Sequence, residues 1–229
     1  MTLHRFFVAP GTVAVERFPL PPPIARQVRG VLRLVDGDRL VLLPGDGTQA
    51  VCRLDGSDCV VEQRSVVASE SRHRLTIVQA LLKGDALEAV VQHATELGVA
   101  AFRLVLTERC VARKVSPRKL ERLHTIAREA AEQSERGVIP MIAAPVKLAD
   151  ALIAGSVMLF ERHDGPGLSS LEAPAEVIVG PEGGFSPAEV AAAERIGVKI
   201  AGLGPRILRS QTVAVAAAAV ILSRTGDFA

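Results

Sequence analysis

The sequence predicts an α/β protein in two parts, a small β-barrel followed by a larger domain with a mainly parallel sheet. Three observations support this prediction. Short β-rich runs separated by turn residues fill the chain as far as about Arg72, and strands alternate with helices from there onward. Hydrophobic residues make up 48% of the 229 residues, which is enough for a substantial core. We therefore predict one domain over residues 1–72 and a second over residues 73–229.

The first part is predicted to contain several short strands. Three runs have strand composition, namely Leu40–Leu43, Ala50–Leu54 and Cys59–Val61. Turn signals occur at Asp36-Gly37, at Gly45-Asp46-Gly47 and at Asp55-Gly56. Only the segment from Pro23 to Leu34 has the composition of a helical turn or two. Short strands at such close spacing favour a small barrel.

The second part opens with a strand, a helix and another strand. Leu75–Leu82 and Ala101–Leu106 have strand composition. Between them, Asp85 begins a predicted helix that ends at Gly98, and Glu88 lies three residues after Asp85. Such a pair is typical of a capping box, in which each side chain accepts a backbone N–H of the other residue.

The same alternation continues to the end of the chain. A long helix is predicted to begin with Ser116 as its N-cap and Pro117 as its first residue, and Gly137 lies past its end. The segment Ser186–Glu189 is a second capping signature, and it opens a helix that runs to Gly197. The remaining predicted elements are three strands and a closing helix: Val157–Phe160, Glu176–Gly180, Val198–Leu203 and Ser210–Ser223.

Two glycine-rich loops follow predicted strands, at Gly180–Gly184 and Gly202–Arg206. Open α/β sheets bind ligands at the carboxyl ends of their strands. Glycines there let backbone groups come close to a ligand such as an adenine, because no Cβ intervenes. Neither loop matches GxGxxG or GxxxxGK[ST], which disfavours a ligand held by its phosphates. The alternative is that both loops are ordinary strand-to-helix turns.

Basic residues are concentrated in two segments of a chain whose formal net charge is only +2. From Arg103 to Arg128, eight basic residues accompany two acidic ones, and from Met1 to Arg33 five arginines accompany Glu16 alone. These excesses favour contact with a phosphate backbone, with solvated surface charge as the alternative. Tyr and Trp are absent, so a base-stacking surface is disfavoured.

The sequence disfavours both a metal site and a membrane segment. Five histidines and three cysteines are scattered without metal-ligand spacing, so we expect no metal. The small, odd number of cysteines favours a reducing compartment. The most apolar stretch, Thr212–Leu222, is too short to span a bilayer, and residues 1–10 lack the features of a signal peptide. We therefore expect a cytoplasmic protein without a membrane partner.

The two glycine-rich loops also carry a family resemblance. Gly180-Pro181-Glu182-Gly183-Gly184-Phe185-Ser186 and Leu203-Gly204-Pro205-Arg206-Ile207-Leu208-Arg209 resemble the cofactor-binding motifs of the 16S ribosomal RNA uracil-N3 methyltransferases, members of the SPOUT superfamily. Further segments agree with that family, so that the resemblance spans nearly the whole chain: Arg5–Phe7, Val31–Leu34 with Gly37-Asp38, Lys83–Asp85, Ala94–Val99, Thr107–Cys110, and Ala130–Ser134 with Arg136.

This resemblance implies a PUA-like β-barrel followed by a SPOUT domain whose C-terminal part forms a trefoil knot. It also implies a homodimer that uses S-adenosyl-L-methionine and acts on 16S ribosomal RNA or the assembled small ribosomal subunit. The partner protomer would complete the active site. The small alanines of Ser210–Ser223 permit close approach of another helix, although packing within one chain suits them equally well.

The resemblance further implies a role for individual residues. Three loops would hold the cofactor through Leu159, Phe160, Glu161, Val179, Gly180, Pro181, Glu182, Gly183, Gly184, Leu203, Gly204, Ile207, Leu208 and Arg209. Arg209 and Arg206, beside the cofactor loop, are the candidates for stabilising the uracil anion, with a helix-terminal or backbone salt bridge as the alternative, above all for Arg206. The expected RNA-binding residues are Arg5, Arg26, Arg29, Arg33, Arg109, Arg113, Lys114, Arg118 and Arg136, of which Arg109 and Arg136 would also assist catalysis.

The sequence departs from the family at Gln211, where the family usually has Glu. No carboxylate is therefore available at that position, and the general base is left unassigned. Other functions remain open at this point: a ribose 2′-O-methyltransferase of the same superfamily, a non-catalytic RNA-binding module and, with least support, a sugar or nucleotide transferase.

Overall fold

The computed structural model describes residues 3–161 and 163–228, and the chain forms two compact units. The first unit contains the chain up to Glu70 together with Ala131–Ile139, and the second contains Ser71–Ala130 and the chain from Pro140 onward. The first change of unit along the chain thus falls two residues before the predicted boundary. The return of residues 131–139 to the first unit was not predicted from sequence.

The first unit is built on a five-stranded mixed sheet. Its strands are β1 (Arg5–Phe7), β2 (Arg17–Pro19), β3 (Arg39–Leu43), β4 (Thr48–Asp55) and β5 (Asp58–Val66). They lie in the order β1-β3-β4-β5-β2, with β1 parallel to β3 and the other pairs antiparallel. Helix α1 (Pro22–Arg26) continues into a π-helical turn at Gln27–Val31. The predicted strands and helical segment are confirmed, whereas β1 and β2 were not predicted.

Strand β3 is buried on both faces of this sheet. Leu40 and Leu42 pack into one apolar cluster, and Val41 and Leu43 pack into a second one on the other side. Successive side chains of a strand point to opposite faces, so a continuous apolar run is the expected signature of a central strand. Ala131 belongs to the second cluster, and the Phe7 N–H donates to the Glu132 carboxylate at 2.9 Å. These contacts explain why residues 131–139 belong to the first unit.

The second unit is built on a six-stranded parallel sheet, as the alternation of strands and helices predicted. Its strands are β6 (Thr76–Ala80), β7 (Ala101–Leu106), β8 (Met141–Lys147), β9 (Val157–Leu159), β10 (Glu176–Val179) and β11 (Lys199–Ala201). They lie in the order β11-β9-β10-β6-β7-β8. The helices are α2 (Ala86–Glu96), α3 (Pro117–Gln133), α4 (Leu148–Ala151), α5 (Pro187–Ile196) and α6 (Ser210–Arg224).

Strand β8 and the short helix α4 were not predicted. Strand β8 lies at one edge of the sheet, contains Pro145, and exposes Met141 and Val146. Proline lacks the N–H that a central strand needs, so it occurs mainly in edge strands. An exposed edge strand also lacks the apolar pattern by which buried strands are recognised.

Of the two predicted capping boxes, one forms. The Ser186 hydroxyl accepts the Glu189 N–H at 3.3 Å, and a Glu189 carboxylate oxygen accepts the Ser186 N–H at 2.9 Å. At α2 the Asp85 side chain makes no cap, and the Glu88 carboxylate is bonded to the Lys119 ammonium at 2.6 Å. The described helices are all too short or too polar to cross a bilayer.

Candidate active site

A cavity of about 500 Å³ opens in the second unit, at the carboxyl ends of β9 and β10 and beside the loops that follow β6 and β11. This is the edge at which open parallel sheets bind ligands, and the volume suits a ligand of drug size. The lining residues are Lys83, Ala86, Leu159, Phe160, Glu161, Val179, Gly180, Pro181, Glu182, Gly184, Phe185, Leu203, Gly204, Arg206, Ile207, Leu208, Arg209, Ser210, Gln211 and Val213.

The structure brings the predicted cofactor residues of all three loops to this cavity, apart from Gly183. A Cβ at Gly183 would lie 3.1 Å from the Cβ of Arg109 and 3.4 Å from its carbonyl oxygen. The glycine at this position therefore allows close packing against Arg109. The sequence predicted that Gly183 contacts the cofactor, but in the structure Gly183 packs against Arg109 and does not line the cavity.

Gly184 does lie at the cavity, and its conformation favours glycine. Its φ is +67°, in the left-handed region that other residues rarely adopt. A Cβ there would lie 3.0 Å from Oε1 of Glu161. The carboxylate of Glu161 is thus held near the backbone of the glycine loop, where it faces the cavity.

A buried hydrogen-bond chain ties the start of α6 to the same loop. The Ser210 hydroxyl donates to the carbonyl oxygen of Gly180 at 2.5 Å and accepts from the Gln79 amide at 3.1 Å. Gln79 is fully buried in β6, and its Oε1 has no partner among the described residues. Sequence reasoning assigned neither Gln79 nor Ser210 to the site. The two residues are 131 positions apart, and nothing in the residues next to either one indicates that their side chains meet.

Both signs of charge are present at the cavity. Lys83, Arg206 and Arg209 supply exposed cations, and Glu161 and Glu182 supply exposed carboxylates. None of the three cations takes part in an ion pair within residues 3–161 and 163–228. Their charge is therefore available to an anionic ligand, or to an anion that forms during a reaction.

A loop after β7 packs against the glycine loop. The Arg109 guanidinium donates to the carbonyl oxygens of Gly183 and Phe185, both at 3.2 Å. The Glu108 N–H donates to Glu189 at 2.8 Å, and Arg113 donates to the Glu108 carbonyl at 2.9 Å. Arg109, predicted to bind RNA and to assist catalysis, thus holds backbone carbonyls of the cavity wall.

Most of the predicted RNA-binding arginines of the first unit are bonded within the fold. Arg5 pairs with Glu135 at 2.6 Å, and Arg29 bonds to Asp36 and to the carbonyls of Leu34 and Gly56. Arg136 is only 3% exposed and pairs with Glu70 at 2.9 Å. Its proposed contact with RNA is wrong for this structure, because the buried guanidinium is inaccessible and neutralised.

Four predicted RNA-binding residues remain exposed without an ion pair in the described part of the chain: Arg26 and Arg33 in the first unit, and Lys114 and Arg118 in the second. Arg113 is also exposed, and its hydrogen bonds to the carbonyls of Thr107 and Glu108 leave its charge unneutralised. The accessible positive charge is therefore smaller than the sequence suggests.

The described residues contain no cluster of three or more His, Cys, Asp or Glu side chains arranged to hold a metal ion. Two of the three cysteines lie in the core of the first unit, where burial raises the pKa of Cys52 to about 12 and of Cys59 to about 11. Since only the thiolate is a good nucleophile or metal ligand, these thiols are inert at neutral pH.

Comparisons with known proteins agree with this geometry. A family model described as an RNA methyltransferase domain matches residues 69–222. The chain is 34% identical to ribosomal RNA small subunit methyltransferase E of Synechocystis sp., over 95% of this chain and 77% of that protein. It is 31% identical to the protein of the same name from Bacillus subtilis, over 97% of each.

Solved structures give the same result. The crystal structure of a ribosomal RNA small subunit methyltransferase E from Neisseria gonorrhoeae bound to S-adenosyl methionine matches with a TM-score of 0.90 and 27% identity, covering 100% of both chains. A putative methyltransferase from Legionella pneumophila in complex with the bound cofactor SAM matches with a TM-score of 0.83 and 28% identity, covering 98% of each.

Proposed function

This chain belongs to the ribosomal RNA small subunit methyltransferase E family of RNA methyltransferases, and from that premise we propose that it methylates N3 of a uridine in 16S ribosomal RNA with S-adenosylmethionine as methyl donor. The observation that carries the proposal is the cavity at the two glycine-rich loops, where cations, carboxylates and exposed backbone meet. Similar proteins have been solved with the same donor bound.

The cavity residues fit the proposed donor. The Gly184 N–H closes its own loop by donating to the Pro181 carbonyl at 3.0 Å, and the absence of a Cβ at Gly184 and Gly204 lets the backbone of both loops come close to an adenine. Leu159, Leu203 and Ile207 supply apolar contacts, and Glu161 offers acceptors for hydroxyl or ammonium groups. When bound, S-adenosylmethionine supplies an electrophilic methyl group, whose bond to sulfur breaks as the bond to N3 forms, with the bonding pair left on sulfur.

The chain has two tasks toward the uracil, which are to place N3 in line with that bond and to stabilise the anion that N3 becomes. N3 loses its proton to water, and the negative charge spreads onto the two flanking carbonyl oxygens. We assign stabilisation of this charge to Arg209, with Arg206 beside it. Both guanidinium groups are exposed at the cavity and lack an ion pair among the described side chains.

No side-chain base is needed in this proposal. Gln211 lines the cavity at the position where the family resemblance implies Glu, and an amide accepts no proton at neutral pH. Nearby positive charge lowers the pKa of the uracil imide, so that solvent can take the N3 proton.

We further propose that the exposed cations Arg26, Arg33, Arg113, Lys114 and Arg118 contact the RNA backbone.

We also propose that the protein is a homodimer, in which the partner completes the site, and that it acts in the cytoplasm. The PUA-like closure of the first unit and the trefoil knot also belong to this proposal. In support of the knot, the chain leaves β11 at the sheet edge and returns to Ser210, which bonds to Gly180 and to Gln79 of the inner strand β6.

The proposal is tested by incubating the purified protein with S-adenosylmethionine and either naked 16S ribosomal RNA or assembled small subunits that lack the modification. Digestion to nucleosides and mass spectrometry should reveal N3-methyluridine. Formation of a 2′-O-methylated nucleoside would overturn the assignment to the base. Binding of RNA without any methylated product would support a non-catalytic module instead.

A further inference from the structure

Lys83 is a cavity residue to which neither the motifs nor the proposed mechanism gives a task. It lies in the loop between β6 and α2, beside the glycine loop that follows the neighbouring strand β10. The two preceding residues, Leu81 and Leu82, are buried, and the Leu81 N–H donates to the carbonyl of Val105 at 3.0 Å. The fold therefore anchors the backbone just before Lys83 in the sheet.

The backbone of Lys83 is also tied to the glycine loop, because its N–H donates to Oε1 of Glu182 at 3.1 Å. The side chain itself is exposed and lines the cavity together with Arg206 and Arg209. The position of the Lys83 backbone is thus defined from two sides, while its ammonium group is left to the cavity.

The fold offers the ammonium group of Lys83 little stabilisation. Lys119 provides the contrast, since it pairs with Glu88 at 2.6 Å, lies 4.0 Å from Asp85 and lowers the pKa of Glu88. Lys83 has no ion pair of this kind within residues 3–161 and 163–228. It also lies just before the N-terminus of α2, where the helix dipole disfavours positive charge. The Lys83 ammonium is therefore available to a ligand in the cavity.

The charges that surround Lys83 narrow the choice of ligand. Arg206 and Arg209 line the same cavity from the loop after β11, Glu161 lines it from the loop after β9, and Glu182 has one oxygen committed to the Lys83 N–H. Three cations against two carboxylates, one of which has an oxygen committed, favour an anion as the ligand at this end of the cavity. In the proposed reaction that anion is the uracil imide, which carries a carbonyl oxygen on each side of N3.

We propose that Lys83 is a catalytic residue that donates a hydrogen bond to a carbonyl oxygen beside N3 of the uracil, and so holds the base and stabilises its deprotonated form. This inference rests on the proposed function. The ammonium group keeps its protons throughout, the N3 proton leaves to water, and the methyl group forms its bond to N3 as it leaves sulfur. Three donors on a flexible stem let the ammonium hydrogen-bond to a carbonyl oxygen of a base placed in the cavity.

The test compares Lys83→Gln, Lys83→Arg and wild type, after the wild type has been shown to form N3-methyluridine. For Lys83→Gln we expect kcat to fall on the order of 100-fold, as when one donor to a developing oxyanion is removed. S-adenosylmethionine affinity and the melting temperature should stay at the wild-type values. Lys147→Gln, which removes an exposed lysine next to α4, is the matched control and should behave as wild type.

The pH profile separates this role from a structural one. Loss of a nearby cation raises the pKa of the bound imide, so the pH at half-maximal kcat should move upward in Lys83→Gln and alkaline pH should restore part of the activity. Lys83→Arg keeps the charge and should keep the wild-type midpoint. The inference is overturned if Lys83→Gln matches wild type, if its loss is the same at every pH, or if donor binding is lost in parallel. A wild type that forms no N3-methyluridine overturns the proposed function instead.

Discussion

At the scale of single residues, adjacent glycines of one loop serve different purposes. Gly183 permits contact with Arg109, whereas Gly184 adopts a left-handed conformation beside the Glu161 carboxylate at the cavity. The two positions look equivalent in the sequence. Their difference matters for mutagenesis, because only a side chain at Gly184 would reach a group that faces the cavity.

We therefore predict that Gly184→Ala lowers both stability and donor affinity. The left-handed backbone costs a non-glycine residue roughly 1–2 kcal/mol, and the added Cβ displaces the Glu161 carboxylate. Gly155→Ala is the matched control, because Gly155 has φ +86° but open space around its Cα. Denaturant unfolding should show a similar loss in both variants, whereas calorimetry should show weaker S-adenosylmethionine binding only in Gly184→Ala. Equal donor affinity in the two variants would contradict this explanation.

At the scale of elements, the start of α5 connects three parts of the second unit. Ser186 and Glu189 form the capping box directly after the glycine loop, and the Glu189 carboxylate also accepts the Glu108 N–H from the loop after β7. Arg109 of that same loop holds the carbonyls of Gly183 and Phe185. The cavity wall is thus positioned by the cap of a helix as well as by the sheet.

Ser186→Ala is predicted to lower the free energy of unfolding by about 1 kcal/mol, the usual effect of removing an N-cap hydroxyl. The lost acceptor leaves the Glu189 N–H unsatisfied at the helix start. Ser223→Ala serves as control, since Ser223 is exposed near the end of α6 and its hydroxyl has no bond to a described residue. Urea titration of both variants gives the comparison, and an equally large loss in Ser223→Ala would show that the cap is not the cause.

At the scale of the whole molecule, ion pairs within the fold neutralise several basic residues of segment 103–128. Of the eight basic residues between Arg103 and Arg128, Arg103 pairs with Glu176, and Lys119 and Arg122 pair with Glu88. Arg109 and Arg113 bond to backbone carbonyls. Lys114, Arg118 and Arg128 remain exposed without such partners in the part of the chain that the structure describes.

We predict that the double variant Lys114→Gln/Arg118→Gln binds 16S ribosomal RNA more weakly and with a flatter salt dependence. Each lost contact with a single-stranded phosphate reduces the slope of log affinity against log salt by about 0.7, so two contacts should reduce it by about 1.4. Lys147→Gln/Arg195→Gln removes the same charge from other exposed positions and should leave the slope unchanged. Filter binding at several salt concentrations makes the measurement, and parallel slopes for both double variants would show that Lys114 and Arg118 only face solvent.

The sequence by itself determined the elements whose signals are local. Buried strands such as β6 and β7 show as apolar runs, and the Ser186 capping box is complete within four residues. The two glycine-rich loops were predicted from sequence to lie at the carboxyl-end edge of the sheet for the same reason, and residues of both loops line the cavity there. Signals of this kind depend on neighbouring residues, although the Asp85 pair shows that they can fail where a tertiary contact, here from Lys119 to Glu88, takes one of the groups.

Only the tertiary structure decided the partners of charged and polar side chains. Arg136 looks like an RNA-binding arginine until its burial against Glu70 is known, and Lys83 has no apparent task until it lines the cavity beside Arg209. The edge strand β8 and the joining of residues 131–139 to the first unit likewise depend on contacts between distant segments. A charge has the same local sequence whether it is paired or free, and for Arg136 the group that decides this is Glu70, 66 residues away along the chain.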